Sequence, residues 1–153
     1  MNNTVDIDFI RDEKYNDPKV TVRAKERTQL VDNIIQAVEN VSENHYPRIT
    51  AYDGEDAVLF SQRDIISAVS HEHKVMLLTE TGSYIVKTSL IALEKVLDPE
   101  RFLRISQSEI INLYKVKLFD LSISGSIGIL FENGTKTRAS RRYLKAISDI
   151  LSL

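Results

Sequence analysis

The chain contains 153 residues with a formal net charge of −2, of which 42% are hydrophobic and 27% charged. This length suits one ordinary domain, alone or with a small appendage, which excludes a large multidomain enzyme, and the composition is typical of a chain that builds a core. The absence of cysteine excludes disulfides, thiolate metal sites and cysteine nucleophiles, and because neither a signal peptide nor a long apolar run is present we expect a cytoplasmic protein.

The first 47 residues are predicted to form a short β-β-α unit. Apolar and polar residues alternate over Val5–Phe9 and again over Val20–Val22, which is the period of half-buried strands. Apolar residues then recur every three or four positions over Thr28–Val41, which predicts an amphipathic helix that ends in the polar stretch Asn44–Pro47. A unit this small cannot form a sufficient core, so we expect the apolar face of the helix to pack on the rest of the chain or on a second copy.

From Arg48 onward the pattern is one of short strands separated by turn residues. The pairs Asp53-Gly54, Thr81-Gly82 and Asn133-Gly134 mark turns, and the last of them is the strongest hairpin signal in the chain. The predicted strands are Ile49–Tyr52, Ala57–Ser61, Ile65–Val69, Lys74–Glu80, Ser83–Lys87, Val116–Ser124 and Ser126–Glu132. In the last two, one buried face is predicted for the odd-numbered apolar residues Phe119, Leu121, Ile123, Ile127, Ile129 and Phe131.

Two helices are predicted to interrupt these strands. Ser89–Leu97 carries its leucines on one side and is stopped by Pro99, and Arg141–Leu151 has the same apolar spacing. Ser140 precedes the second helix and is the residue type that favours the N-cap position.

No cluster of residues in the sequence supports catalysis. There is no nucleophile beside a base and no glycine-rich loop between a strand and a helix. In an extended segment His71 and His73 would share one face while Glu72 lies on the other, which does not make a three-ligand metal site. We therefore predict no enzymatic activity, no cofactor and no small-molecule substrate.

Charge is distributed unevenly along the chain. Residues 1–100 hold 11 Lys and Arg against 18 Asp and Glu, whereas residues 101–153 hold 9 against 4. The last third can therefore concentrate positive potential on one surface, as contact with nucleic-acid phosphates requires. The alternative interpretation is scattered, solvated charge.

The sequence Phe-Leu-Arg-Ile-Ser-Gln-Ser-Glu-Ile-Ile-Asn over Phe102–Asn112 resembles the signature of the LytTR family of bacterial DNA-binding domains. That signature runs Phe-x-Arg-(Ile/Val)-His-(basic)-Ser-x-(Ile/Leu)-(Val/Ile)-Asn. Ser89–Glu94 resembles the family's Ser-Leu-x-x-Leu-Glu, and Ser140–Tyr143 resembles its Ser-Arg-x-Tyr. The resemblance covers about residues 48–153. It implies an α+β, mostly β fold of small antiparallel sheets with few helices, in which loops and not a recognition helix enter successive major grooves.

The resemblance implies three places of DNA contact, of which two are loops. In the first, His73 matches the groove-reading position and Lys74 would reach phosphate. In the second, Gln107 would pair with an adenine and Ser108 would contact phosphate. The chain departs from the family pattern in this second loop, because Ser106 replaces the family's histidine and Gln107 its basic residue.

The third place is Ser140 and Arg141 at the start of the last helix, where the resemblance assigns Arg141 to a groove contact. An arginine forms a two-pronged bond to guanine, and a helix N-terminus offers free N–H groups to phosphate. Lys136 and Arg138 lie two residues apart on the incoming strand, so they would face the same side and contact the DNA backbone.

These observations favour a stand-alone transcriptional regulator that binds specific double-stranded DNA. The 47 residues before the match are too few for the phosphoacceptor receiver found in many LytTR proteins, so we expect the N-terminal unit to serve as a homodimer contact or a partner surface. The resemblance also implies a restraining membrane protein as a regulatory partner. The alternative is a protein-interaction module or anti-activator that keeps the fold without specific DNA binding, which the sequence pI of 5.9 and the uncharged Ser106–Ser108 loop favour.

Overall fold

The computed structural model describes residues 4–43 and 46–152, and the chain divides into two units, residues 1–42 and 43–153. Asn44 and His45, in the predicted stop of the first helix, lie outside the described residues. No helix in the described part of the chain is both long and apolar enough to span a membrane.

The first unit contains the predicted helix but neither predicted strand. Helix α1 spans Gln29–Glu43. At its start, Thr28 accepts hydrogen bonds from the amides of Val31 and Asp32, and the carboxylate of Asp32 pairs with Arg27 at 2.7 Å. The strands expected at Val5–Phe9 and Val20–Val22 are wrong, since residues 4–28 form no helix or strand. An alternating pattern makes a strand only when a neighbouring strand pairs with its backbone, and the exposed apolar side chains of this segment have no such neighbour among the described residues.

The second unit contains two antiparallel sheets. The larger sheet has seven strands: β1 Ile49–Asp53, β2 Asp56–Phe60, β3 Ile65–His71, β4 Lys74–Thr79, β5 Gly82–Val86, β6 Phe102–Ser106 and β7 Glu109–Asn112. They lie in the order β2-β1-β5-β4-β3-β7-β6. The smaller sheet, in the order β10-β9-β8, consists of β8 Val116–Asp120, β9 Ile127–Phe131 and β10 Lys136–Ala139. Helices α2, Leu90–Val96, and α3, Leu144–Leu151, complete the unit. The expected class, α+β and mostly β with small antiparallel sheets and few helices, is confirmed.

The predicted hairpins form where the turn chemistry requires them. Asn133-Gly134 joins β9 to β10, with Gly134 at a φ of +87° and the Asn133 side chain accepting from the amide of Thr135 at 3.0 Å. Helix α2 begins at the predicted place, because the hydroxyl of Ser89 accepts from the amide of Ala92 at 3.1 Å.

Both faces of the larger sheet are buried where β3, β7 and β6 lie. Neighbouring residues along β7 enter different cores, Ile110 joining one and Ile111 the other. The first core includes the apolar side of α2, through Leu90 and Leu93. The second core lies between the larger sheet, the smaller sheet and α3. Burial on both faces explains the consecutive apolar residues of the family motif, which a sheet with one solvated face would not need.

In the smaller sheet, strand β8 is shorter than predicted. Strand β8 ends at Asp120, whose carboxylate accepts from the amide of Ser122 at 2.9 Å and starts a turn. Leu121 and Ile123 are therefore 48% and 54% exposed, so their predicted burial is wrong, whereas Ile127, Ile129 and Phe131 are buried. The last helix also starts later than predicted, at Leu144.

Candidate nucleic-acid interface

The first predicted contact loop is a tight two-residue hairpin turn. His71 pairs with Lys74, so Glu72 and His73 alone connect β3 to β4, with φ values of 50° and 64°. Two successive positive φ values characterise the turn that fits the twist of a hairpin, and most side chains adopt them at a cost in strain. His73 and Lys74 are both exposed at this tip.

The second predicted loop joins β6 to β7 through Gln107 and Ser108, both exposed. The hydroxyl of Ser106 accepts from the amide of Ser108 at 3.2 Å, which closes the turn. A β-bulge interrupts the pairing of β6 with β7 between Arg104 and Ser106.

The structure brings the two loops together at one end of the larger sheet. The amide of Ser70, near the end of β3, donates to the carbonyl of Ser108 at 2.7 Å. Since β3 and β7 are neighbours in the sheet and Val69 pairs with Glu109, the two loops project side by side.

The third predicted place joins the same end of the unit. The amide of Ser140 donates to the carbonyl of Ile105 in the bulge at 2.9 Å, and the Thr137 hydroxyl donates to the Glu109 carboxylate at 2.5 Å. Arg141 follows, exposed, in a short 3-10 turn. Ser140 has the extended backbone of a cap, but its side chain makes no cap hydrogen bond, and Arg141 lies at the start of this turn rather than of the α-helix, so the predicted N-cap role is wrong.

Strand β10 supplies the remaining two cations. Lys136 and Arg138 are exposed, while Ala139 is buried, so the strand presents one basic side and one apolar side. The guanidinium of Arg138 donates to the hydroxyl of Ser126. All eight residues named from the sequence are exposed: His73, Lys74, Gln107, Ser108, Lys136, Arg138, Ser140 and Arg141.

The site holds two carboxylates that the sequence did not point to: Asp120, beside the cations of β10, and Glu109, at the hydroxyl of Thr137. Asp120, Gly128 and Arg138 form one row across the smaller sheet. Hydrogen bonds from Ser122 lower the pKa of Asp120, and the charges of Arg138 and Lys136 lower it further. Burial raises the pKa of Glu109, and the hydrogen bond from Thr137 opposes this shift. The positions of both carboxylates depend on which residues of neighbouring strands lie side by side, and a linear motif does not contain this information.

Arg104 is the third residue of the site that the sequence left without a role. Its side chain is 15% exposed and reaches the backbone of the β6–β7 loop. Nε donates to the carbonyl of Ser106 at 2.8 Å, and Nη2 donates to that of Gln107 at 2.5 Å. Nη1 pairs with Glu94 of α2 at 2.6 Å.

The sequence model of the LytTr DNA-binding domain matches residues 55–152. The chain belongs to the LytTR family. This is a family of DNA-binding domains and not a class of enzymes. The match includes all three contact places of the candidate interface.

The chain is also similar to proteins described as transcriptional regulators and to a solved LytTr domain. A Staphylococcus aureus protein of strain MSSA476, described as an uncharacterized HTH-type transcriptional regulator, is 30% identical over 140 residues, covering 92% of this chain and 93% of its own length. A protein of the same description from strain NCTC 8325 is 31% identical over 134 residues, covering 88% and 89%. The solved LytTr DNA-binding domain of a Bacillus cereus protein superimposes with a TM-score of 0.67 at 18% identity, over 70% of this chain and 98% of that one, which shows the shared fold.

The LytTR protein has no helix-turn-helix pair in its described residues, despite the name of these relatives. Five strands separate α1 from α2, and five more separate α2 from α3. The cations of the candidate interface lie instead on strands β4 and β10 and in a 3-10 turn. The LytTR protein is thus a DNA-binding regulator whose candidate contacts come from loops and strands.

Proposed function

We propose that this protein is a sequence-specific transcriptional regulator that reads the major groove of double-stranded DNA through two hairpin loops and the 3-10 turn at Arg141. The observation that supports this most is a pair of backbone hydrogen bonds: Ser70 of β3 donates to Ser108 in the second loop, and Ser140 donates to Ile105 of β6. Side chains on loops held this way keep a constant spacing, which reading successive bases requires.

The exposed side chains at the three tips have the chemistry of base readers. Arg141 donates two hydrogen bonds to the O6 and N7 of a guanine, and Gln107 exchanges two with the N6 and N7 of an adenine. His73 donates to a guanine acceptor from its strained turn. The three readers stand on separate loops and so address different base pairs.

The residues around them are suited to the DNA backbone. Lys74, Lys136 and Arg138 bring positive charge, and Ser108 and Ser140 bring hydroxyl donors. Contacts of this type fix register and supply affinity without sequence information, and each neutralised phosphate steepens the dependence on salt.

The N-terminal unit is proposed to join two copies. In α1 the apolar residues Leu30, Val31, Ile34, Ile35 and Val38 are partly buried, and Val41 is 74% exposed. Pairing of two such faces would set the spacing of two half-sites. A membrane-protein partner that restrains the regulator in the cytoplasm would use the same unit.

The test is a selection of bound sequences from a random duplex pool over a salt series. Wild type should enrich a short repeated half-site and lose affinity steeply as salt rises. Arg141→Ala should lose the preference for one base pair and about tenfold or more in affinity, since a two-pronged pair discriminates by about 1–3 kcal/mol.

The matched control is Arg142→Ala, which removes the same charge from the neighbouring exposed residue. It should keep the sequence preference and lose only a little affinity. Equal behaviour of the two variants would contradict the assignment of Arg141 as a base reader.

The second candidate is the interaction module that keeps the fold without specific DNA binding. The uncharged Ser106 and Gln107, and the carboxylate of Asp120 among the cations, favour it. Under this alternative, wild type would enrich no sequence in the same selection.

A further inference from the structure

Arg104 connects a helix to a loop that we propose as base-reading. Two of its nitrogens donate to the consecutive carbonyls of Ser106 and Gln107, and the third pairs with Glu94. The side chain therefore holds the peptide groups on both sides of Gln107.

The bulge explains why the loop needs this support. Pairing of β6 with β7 is interrupted between Arg104 and Ser106, and a bulge locally disrupts the ladder of backbone hydrogen bonds. A planar guanidinium presents its donors in a rigid fork, so it fixes the direction of two carbonyls at once.

Glu94 provides a fixed anchor for that fork. It lies in α2, which is held by its Ser89 cap and by buried Leu90 and Leu93. Because Arg104 is 15% exposed and Nε, Nη1 and Nη2 all have protein partners, it is not available as a phosphate contact.

We propose that the Glu94–Arg104 pair is a positioning device that sets the base preference of Gln107. This inference rests on the proposed function of the loop. Arg104 acts through the backbone of Gln107 and touches no DNA, so its loss should change which base is preferred at one position and leave the rest of the site intact.

The first test is Arg104→Lys, which keeps the charge but cannot reproduce the fork. The base preference at the Gln107 position should fall about tenfold, while the preference at the Arg141 position stays unchanged. The slope of affinity against salt should also stay unchanged, since no phosphate contact is removed. Glu94→Gln should act in the same direction with a smaller effect.

A double-mutant cycle separates positioning from a general loss of structure. If Arg104 acts through Gln107, then Arg104→Lys should add little to the loss already caused by Gln107→Ala. The control is Arg101→Lys, which makes the same chemical change away from the loop. Arg101 lies just before β6, where its guanidinium stacks on the ring of Tyr114 at 4.4 Å. It should leave the base preference as in wild type.

The loop conformation itself is measured without DNA, by backbone amide chemical shifts and heteronuclear relaxation of the full chain. Arg104→Lys should change the amide chemical shifts of Ser106–Ser108 and raise the mobility of these residues. The shifts and the mobility of Glu72 and His73 should stay unchanged. Unchanged signals at residues 106–108 would overturn the positioning role, whether or not wild type binds DNA. If wild type enriches no sequence but the loop signals change as expected, the proposed function fails and the loop positioning stands.

Discussion

Residues 4–28 and the sheet of β3, β4 and β7 both contain apolar segments, but only the second region forms strands. In the first, Ile7 and Phe9 are 88% and 92% exposed and no strand forms. In the second, Val75 and Leu77 are buried and every strand is paired. The comparison shows that alternation becomes a strand only where a neighbouring strand supplies backbone partners and a second layer covers one face.

The largest expected effect is on stability, at matched apolar residues in the two regions. Ile111→Ala removes a fully buried side chain from the second core and should lower the free energy of unfolding by about 2–5 kcal/mol. Phe9→Ala should change it by less than about 0.5 kcal/mol, because the side chain is 92% exposed. Urea denaturation measures both, and a comparable loss in Phe9→Ala would show that residues 4–28 pack in solution.

The next effect is on DNA affinity, at matched aspartates. Asp120→Asn removes a negative charge beside Arg138 and Lys136 and keeps an oxygen for the amide of Ser122. Affinity for duplex DNA at low salt should rise by about twofold to threefold, and the rise should shrink as salt screens the charges.

Asp8→Asn is the control in the first region, since it makes the same change in net charge. Fluorescence titration of a labelled duplex should show little change for this variant. An equal rise in both variants would mean that net charge and not the local field of Asp120 governs affinity.

The smallest expected effect is a dependence of folding stability on pH, caused by the carboxyl group of Glu109. Burial raises the pKa of this carboxyl above its ordinary value of 4.5, so the folded chain holds the proton more tightly than the unfolded chain. The group therefore lowers stability as the pH rises from 4.5 through the folded-state pKa toward neutral. Glu109→Gln keeps an acceptor for Thr137 and should gain stability relative to wild type over that window, with no gain below it.

Glu13→Gln serves as the matched change in the first region, where the side chain is 87% exposed. Its free energy of unfolding should stay within about 0.5 kcal/mol of wild type. Urea denaturation at several pH values gives both results, and a gain for Glu109→Gln that is larger at acid pH would contradict the assigned direction.

Much of the fold was predictable because local chemistry and the observed structure agree at several turns, caps and helices. The Asn133-Gly134 hairpin, the Ser89 cap and the helical spacing of α1 each depend on residues close in sequence. Six of the eight exposed side chains were identified from motif resemblance, and Lys136 and Arg138 from their spacing on one strand; the roles of all eight stay predictions. The predicted burial of Leu121 and Ile123 is wrong because the turn at Asp120 ends the strand, and a pattern of alternation does not reveal such a turn.

The sequence by itself determined which segments could become strands, which turns would form and where positive charge would concentrate, because these depend on side chains and backbone preferences a few residues apart. Tertiary structure decided which alternating segments found partners, and it brought Ser70 to Ser108, Ser140 to Ile105 and Arg104 to Glu94. It also buried Glu109 and so raised the pKa of its carboxyl, an environment that depends on packing between elements far apart in sequence.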